Sequence, residues 1–124
     1  MAKILVVDDD EDILDLLSQY LSLENHEVMT ASDGLMGIKS LKNKKVDLII
    51  TDIIMPNKDG IELILELLDD PDIGNIPIIA MSGGKRKITS EFNLVSAITL
   101  GVKEILKKPF SSHELHKAVK SALA

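Results

Sequence analysis

Five side chains in this sequence have the types and the placement to do chemistry together. Asp8 and Asp9 close the apolar run Ile4-Leu5-Val6-Val7, and Asp52 closes the run Leu48-Ile49-Ile50-Thr51. Ser82 follows a third apolar run, and Lys108 stands before Pro109 beside a fourth. A single carboxylate at a strand end is commonplace. Three that converge at one sheet edge repel one another unless a cation or a proton sits among them. The set therefore points to a divalent-metal site with one carboxylate left over for chemistry, and with a hydroxyl and an ammonium group in reach.

The elements that must position these groups are legible as alternating patterns. Ile4–Val7, Leu48–Thr51 and Ile78–Met81 are nearly all apolar, as expected of parallel strands buried on both faces. Glu27–Thr30 mixes polar and apolar residues and reads as an edge strand, and Glu104–Leu106 as a short fifth strand. Between them, Ile13, Leu16, Leu17, Tyr20 and Leu21 fall on one side of a helix. Ile61, Ile64, Leu65 and Leu68 repeat that spacing, as do Leu115, Ala118, Val119, Ala122 and Leu123. Further helices are expected near 35–43 and 89–100. Asp33-Gly34 and Asp59-Gly60 open the second and third helices, and Ser111 with Glu114 has capping-box spacing before the last. Asp69 to Pro77, with two prolines and Gly74, reads as a solvated connector. Strands alternating with helices imply a doubly wound five-stranded parallel sheet, with right-handed crossovers and helices on both faces. Such sheets bind ligands at the carboxyl ends of their strands, where the acids lie.

Composition sets the bounds. At 124 residues the chain reads as one domain, 1–124, with an aliphatic core, since aromatics make up only 2%. It has no cysteine, hence no disulfide framework or thiolate metal site, which suits a reducing cytoplasm. A net charge of -6 argues against direct nucleic-acid binding. No apolar run approaches the roughly 20 residues that span a bilayer, and the start is too short for a signal segment, so no membrane partner is expected. Asp8-x-Asp10-x-Asp12 mimics the opening of a calcium-binding EF-hand loop, but Ile13 and Gln19 stand where Gly and Glu are needed. Asp10, Glu11 and Asp12 read as an acidic helix start. His113 and His116, three apart, read as a solvated helix face, and His26 as part of a turn. Gly83-Gly84-Lys85-Arg86-Lys87 lacks the Walker pattern and reads as a solvated loop, with partner contact the sharper alternative.

Val7-Asp8-Asp9, Asp52 to Gly60 with Met55-Pro56, Ser82, and Lys108-Pro109-Phe110 together form a pattern. Over Lys3 to about Leu123 the chain resembles the receiver domain of bacterial response regulators, the phosphoacceptor half of two-component signalling. The resemblance implies a flavodoxin-like sheet in the order 2-1-3-4-5. It implies phosphorylation on Asp52, and Mg²⁺ held by Asp9 directly, by Asp8 mostly through water, by Asp52 and by the backbone carbonyl of Ile54. It implies that the Ser82 hydroxyl bonds the phosphoryl group and that Lys108 pairs with it. The implied partners are a sensor histidine kinase or phosphotransfer protein and a downstream protein target. The chain would be a cytoplasmic switch, stand-alone or cut from a longer regulator. It would catalyse only its own phosphoryl transfer and acyl-phosphate hydrolysis.

The physics of the residues agrees with those roles. Mg²⁺ takes oxygen ligands and keeps waters, so two carboxylates and a carbonyl are a reasonable protein share. A transferring phosphoryl group spreads charge over three oxygens and needs cations and donors around it. Two rivals fit less well. A haloacid-dehalogenase-type phosphatase wants Thr or Val where Asp12 stands, and a flavodoxin-type FMN module would meet three repelling aspartates at its phosphate loop. The chain also departs from the family it resembles. Ile105 stands where many receivers carry Tyr or Phe, so the usual aromatic swing has no ring to use. Ile54 and Gly84 offer no side chain to orient water, which suggests slow dephosphorylation.

Overall fold

The computed structural model describes residues 2–43, 45–52, 75–82 and 102–124. In chain order these form β1 (Lys3–Val7), α1 (Glu11–Leu23), β2 (Glu27–Ala31), α2 (Gly34–Asn43), β3 (Leu48–Asp52), β4 (Ile78–Ser82), β5 (Glu104–Lys107) and α3 (Ser112–Leu123). The strands make a five-stranded parallel sheet in the order β2-β1-β3-β4-β5. The expected helices over Ile61–Leu68 and 89–100, most of the Asp69–Pro77 connector, the Gly83–Lys87 loop and the Ile54 carbonyl lie outside the described residues.

The three apolar runs are the three central strands, and their side chains divide by alternation. Ile4, Val6, Leu48, Ile50, Ile79 and Met81 face one apolar layer with Leu14, Leu17 and Leu21 of α1 and Leu115, Val119 and Ala122 of α3. Leu5, Val7, Ile49, Ile78 and Ala80 face the other, with Ala31, Leu41 and Val46 and with Ile38 packed against them. That alternation is what the period of two in a strand requires, and burial on both faces is why the runs are almost wholly aliphatic, with Thr51 the exception. β2 lies at the edge, which explains its mixed composition and its half-exposed Val28 and Met29.

Helix boundaries follow local chemistry. Asp10 caps α1, its carboxylate accepting the Asp12 N–H at 3.0 Å. At the start of α2, Asp33 accepts the Met36 N–H at 2.8 Å. Ser111 and Glu114 form the expected capping box on α3. The buried stripe of α1 is centred on Leu14, Leu17 and Leu21, with Ile13 and Tyr20 at its margin, so the helix is turned slightly from the face expected. Leu123, expected on the core face of the last helix, is 37% exposed because it sits in the final turn, past Ala122. On the other face, α2 comes close to β1 at Gly37, where a Cβ would lie 3.2 Å from Val7 Cγ2.

Candidate phosphoacceptor and metal site

Parallel strands in register bring their carboxyl ends to one edge of the sheet, and the candidate residues meet there. The β1–β3 register pairs Val7 with Thr51, so Asp8 and Asp52 leave the ladder side by side. The β3–β4 and β4–β5 registers pair Asp52 with Met81 and Ser82 with Lys107, which brings Ser82 and Lys108 to the same edge. Backbone bonds fix these tips: the Asp8 N–H donates to the Ala31 carbonyl at 3.1 Å, and the Lys108 N–H to the Ser82 carbonyl at 2.8 Å.

Asp8 is fully buried, Asp52 and Ser82 are nearly so, and Asp9 is exposed. The Asp8 carboxylate is bonded through both oxygens. Oδ1 accepts the Asp10 N–H at 2.9 Å, and Oδ2 accepts from Lys108 Nζ at 2.7 Å. The same ammonium lies 3.3 Å from Asp52 Oδ2, so one cation bridges two carboxylates 44 residues apart in sequence. Burial raises the Asp8 carboxyl above its ordinary value, and the bonds from Lys108 and Asp10 offset that only in part. For Lys108, burial works to lower its pKa, but the bond to Asp8 and the charge of Asp52 outweigh it and raise it. The lysine is therefore a firmly held cation facing more negative charge than it can neutralise.

That imbalance bears directly on a metal. Asp8, Asp9 and Asp52 each offer a carboxylate oxygen, and these lie within 4.8 Å of one another. Hard oxygen donors grouped this way suit Mg²⁺ or Ca²⁺. Among the described residues they are the one such group of three or more acids and histidines. The histidines are placed elsewhere: His26 Nδ1 accepts the Ala2 N–H at 3.0 Å, and His116 Nε2 lies 3.7 Å from Glu24 Oε1. Among the described residues, no helix is long and apolar enough to cross a membrane.

The structure brings together Asp8, Asp9, Asp52 and Lys108, and places Ser82 on the strand beside them. Asp10 and Asp12 belong to the helix start, as their sequence context suggests. Thr51, part of an apolar run in the sequence, is a further polar residue beside the site. Its side chain is fully buried and its hydroxyl donates to the Asp52 carbonyl at 2.9 Å. A hydroxyl residue inside an otherwise aliphatic strand was the available signal.

A parallel sheet in this order thus carries an acidic cluster and a lysine together at its carboxyl edge. The sequence matches the family described as response regulator receiver domain over residues 4–120, and the chain belongs to that family. It is 37% identical over 121 residues to the alkaline phosphatase synthesis transcriptional regulatory protein PhoP of Bacillus subtilis, covering 98% of this chain and 48% of that protein. It is 34% identical over 123 residues to the transcriptional regulatory protein CpxR homolog of Haemophilus influenzae, covering 99% of this chain and 51% of that one. The chain thus spans about half the length of the curated relatives it matches. Among solved structures, the chemotaxis protein CheY4 of Vibrio cholerae superposes with a TM-score of 0.86 at 28% identity, each chain covered to 99%. NtrX of Brucella abortus, solved with ATP, gives the same TM-score at 32% identity, covering 98% of this chain and 27% of NtrX. The expected sheet order and family are both borne out.

Proposed function

We propose that the chain, as a single domain over 1–124, is a phosphoacceptor switch in which Asp52 takes a phosphoryl group from a histidine kinase or phosphotransfer protein. The observation that carries this is the Lys108 ammonium set between Asp8 and Asp52, with Asp9 alongside. An Asp52 oxygen attacks the phosphorus, and the bond from phosphorus to the donor's imidazole or acetate breaks as that group leaves with its electron pair. The product is an acyl phosphate, labile enough to serve as a signal.

Asp8, Asp9 and Asp52 would hold Mg²⁺, with the Ile54 carbonyl a further ligand. When bound, the ion neutralises charge on the transferring phosphoryl oxygens and on the clustered carboxylates. Lys108 moves its charge from Asp52 toward a phosphoryl oxygen without leaving Asp8, and the Ser82 hydroxyl donates to another. Ile54 and Gly84 bring no side chain to orient a hydrolytic water, so turnover of the acyl phosphate is slow. The altered surface is read in the cytoplasm by a downstream protein, whether or not an output domain is part of the same polypeptide.

Incubation with Mg²⁺ and acetyl phosphate should add one phosphoryl mass, and Asp52→Asn should abolish the gain. An Asp52→Asn protein labelled at the wild-type rate would show that the acceptor lies elsewhere.

A further inference from the structure

We infer that Thr51 is a positioning residue for the phosphoacceptor, acting through the peptide that follows Asp52. The inference rests on the phosphoacceptor reading above. Thr51 lies in the middle of the sheet, paired with Val7 on one side and Ala80 on the other, and both neighbours belong to the apolar layer beneath α2. Strand alternation places Thr51 on that same face. Valine would fit there in shape and would spare the cost of burying a hydroxyl. The hydroxyl instead meets a bond: Thr51 Oγ1 donates to the Asp52 carbonyl at 2.9 Å, with Thr51 fully buried.

The bond falls where the chain changes character. The β1–β3 register ends at Val7 with Thr51, so Asp52 is the residue at which β3 leaves that ladder. Asp52 is also the last residue of β3, so the direction of its carbonyl sets the plane of the peptide that carries the chain away. Thr51 ties that carbonyl to the rigid interior of the sheet. The Asp52 backbone, and with it the carboxylate facing Lys108, is thereby fixed before any donor arrives. Phosphoryl transfer depends on in-line placement more than on covalent machinery, so a misplaced nucleophile costs rate steeply. Thr51 reaches the site through the Asp52 carbonyl, so its effect passes through Asp52.

Thr51→Val removes the donor and keeps the shape, Thr51→Ser keeps the donor and removes a methyl group, and Thr51→Ala removes both. The rate of phosphoryl mass gain from acetyl phosphate at saturating Mg²⁺ is measured beside the melting temperature of each. The Val and Ala proteins should label about tenfold more slowly than wild type, and the Ser protein within about twofold of it. Rates should thus follow the hydroxyl and not the order of melting temperatures, which a merely structural role would impose. If Thr51→Val does not fold, the Ser and Ala pair decides. Equal rates for the hydroxyl-bearing and hydroxyl-free proteins, or rates that track melting temperature, overturn the inference while leaving Asp52 as acceptor. A wild-type chain that gains no phosphoryl mass overturns both readings.

Discussion

Replacing Lys108 by methionine keeps most of the side-chain stem and removes the ammonium. In the resting structure that group lies 2.7 Å from a fully buried carboxylate and 3.3 Å from a second one, with its own side chain only 10% exposed. Removing one partner of a buried pair leaves uncompensated charge and costs about 3 kcal/mol, the low end for such sites because water can reach the rim. With a urea slope of about 1.5 kcal/mol/M, the unfolding midpoint should drop by about 2 M in EDTA near pH 7. The pH dependence follows from Asp8. Its folded pKa is already raised by burial, and losing Lys108 removes the largest opposing contribution, so it rises further. A raised group stabilises fully below its unfolded value and loses that contribution as pH climbs through the folded one. The penalty of Lys108→Met should therefore be largest at neutral pH and smaller at acid pH, where Asp8 takes up a proton. Saturating Mg²⁺ should recover part of it by supplying positive charge. Denaturant curves at both pH values, with and without Mg²⁺, test this. A midpoint within about 0.3 M of wild type at neutral pH, or a penalty equal at both, would refute the reasoning.

In a Mg²⁺ titration, Asp9→Asn should weaken affinity more than Asp8→Asn, since both Asp8 oxygens are already bonded by Lys108 and Asp10; the reverse order would exchange their roles. Ser111→Ala removes the capping box of α3 and should cost about 1 kcal/mol, lowering the melting temperature by about 4 °C, and an unchanged melting curve would count against it. Ile105→Tyr should enlarge the chemical-shift response of the last helix to beryllofluoride while leaving the phosphorylation rate unchanged. Large native shifts across β5 and α3 would show instead that the coupling needs no ring.

The central strands and the caps were readable because they depend on local pattern. Alternation is absent from Ile4–Val7 and Ile78–Met81 for one reason, burial on both sides, and Ser111 with Glu114 carries its own spacing. The tilt of α1 onto Leu14 was not readable, since it is set by packing within the layer α1 shares with the central strands and α3. The Lys108–Asp8 bond joins positions 100 residues apart, and no local signal encodes it. The resemblance supplied a role for Lys108 toward a phosphoryl group, whereas its resting partners emerge only once β1, β3 and β5 are set in one sheet. Thr51 is less legible because threonine is at home in strands, and only its setting among aliphatic residues marks it.

Among the described residues the two apolar layers share no side chain: one draws on α1 and α3, the other on α2 and the segment around Val46. Substitutions on opposite faces therefore act on separate neighbourhoods, and their effects should sum. For a lineage, this means the two surfaces can drift at different tempos. One face can be rewritten for a new partner by successive neutral steps while the other conserves an old allegiance. The strand tips, anchored in both layers at once, are the inheritance that neither history is free to revise.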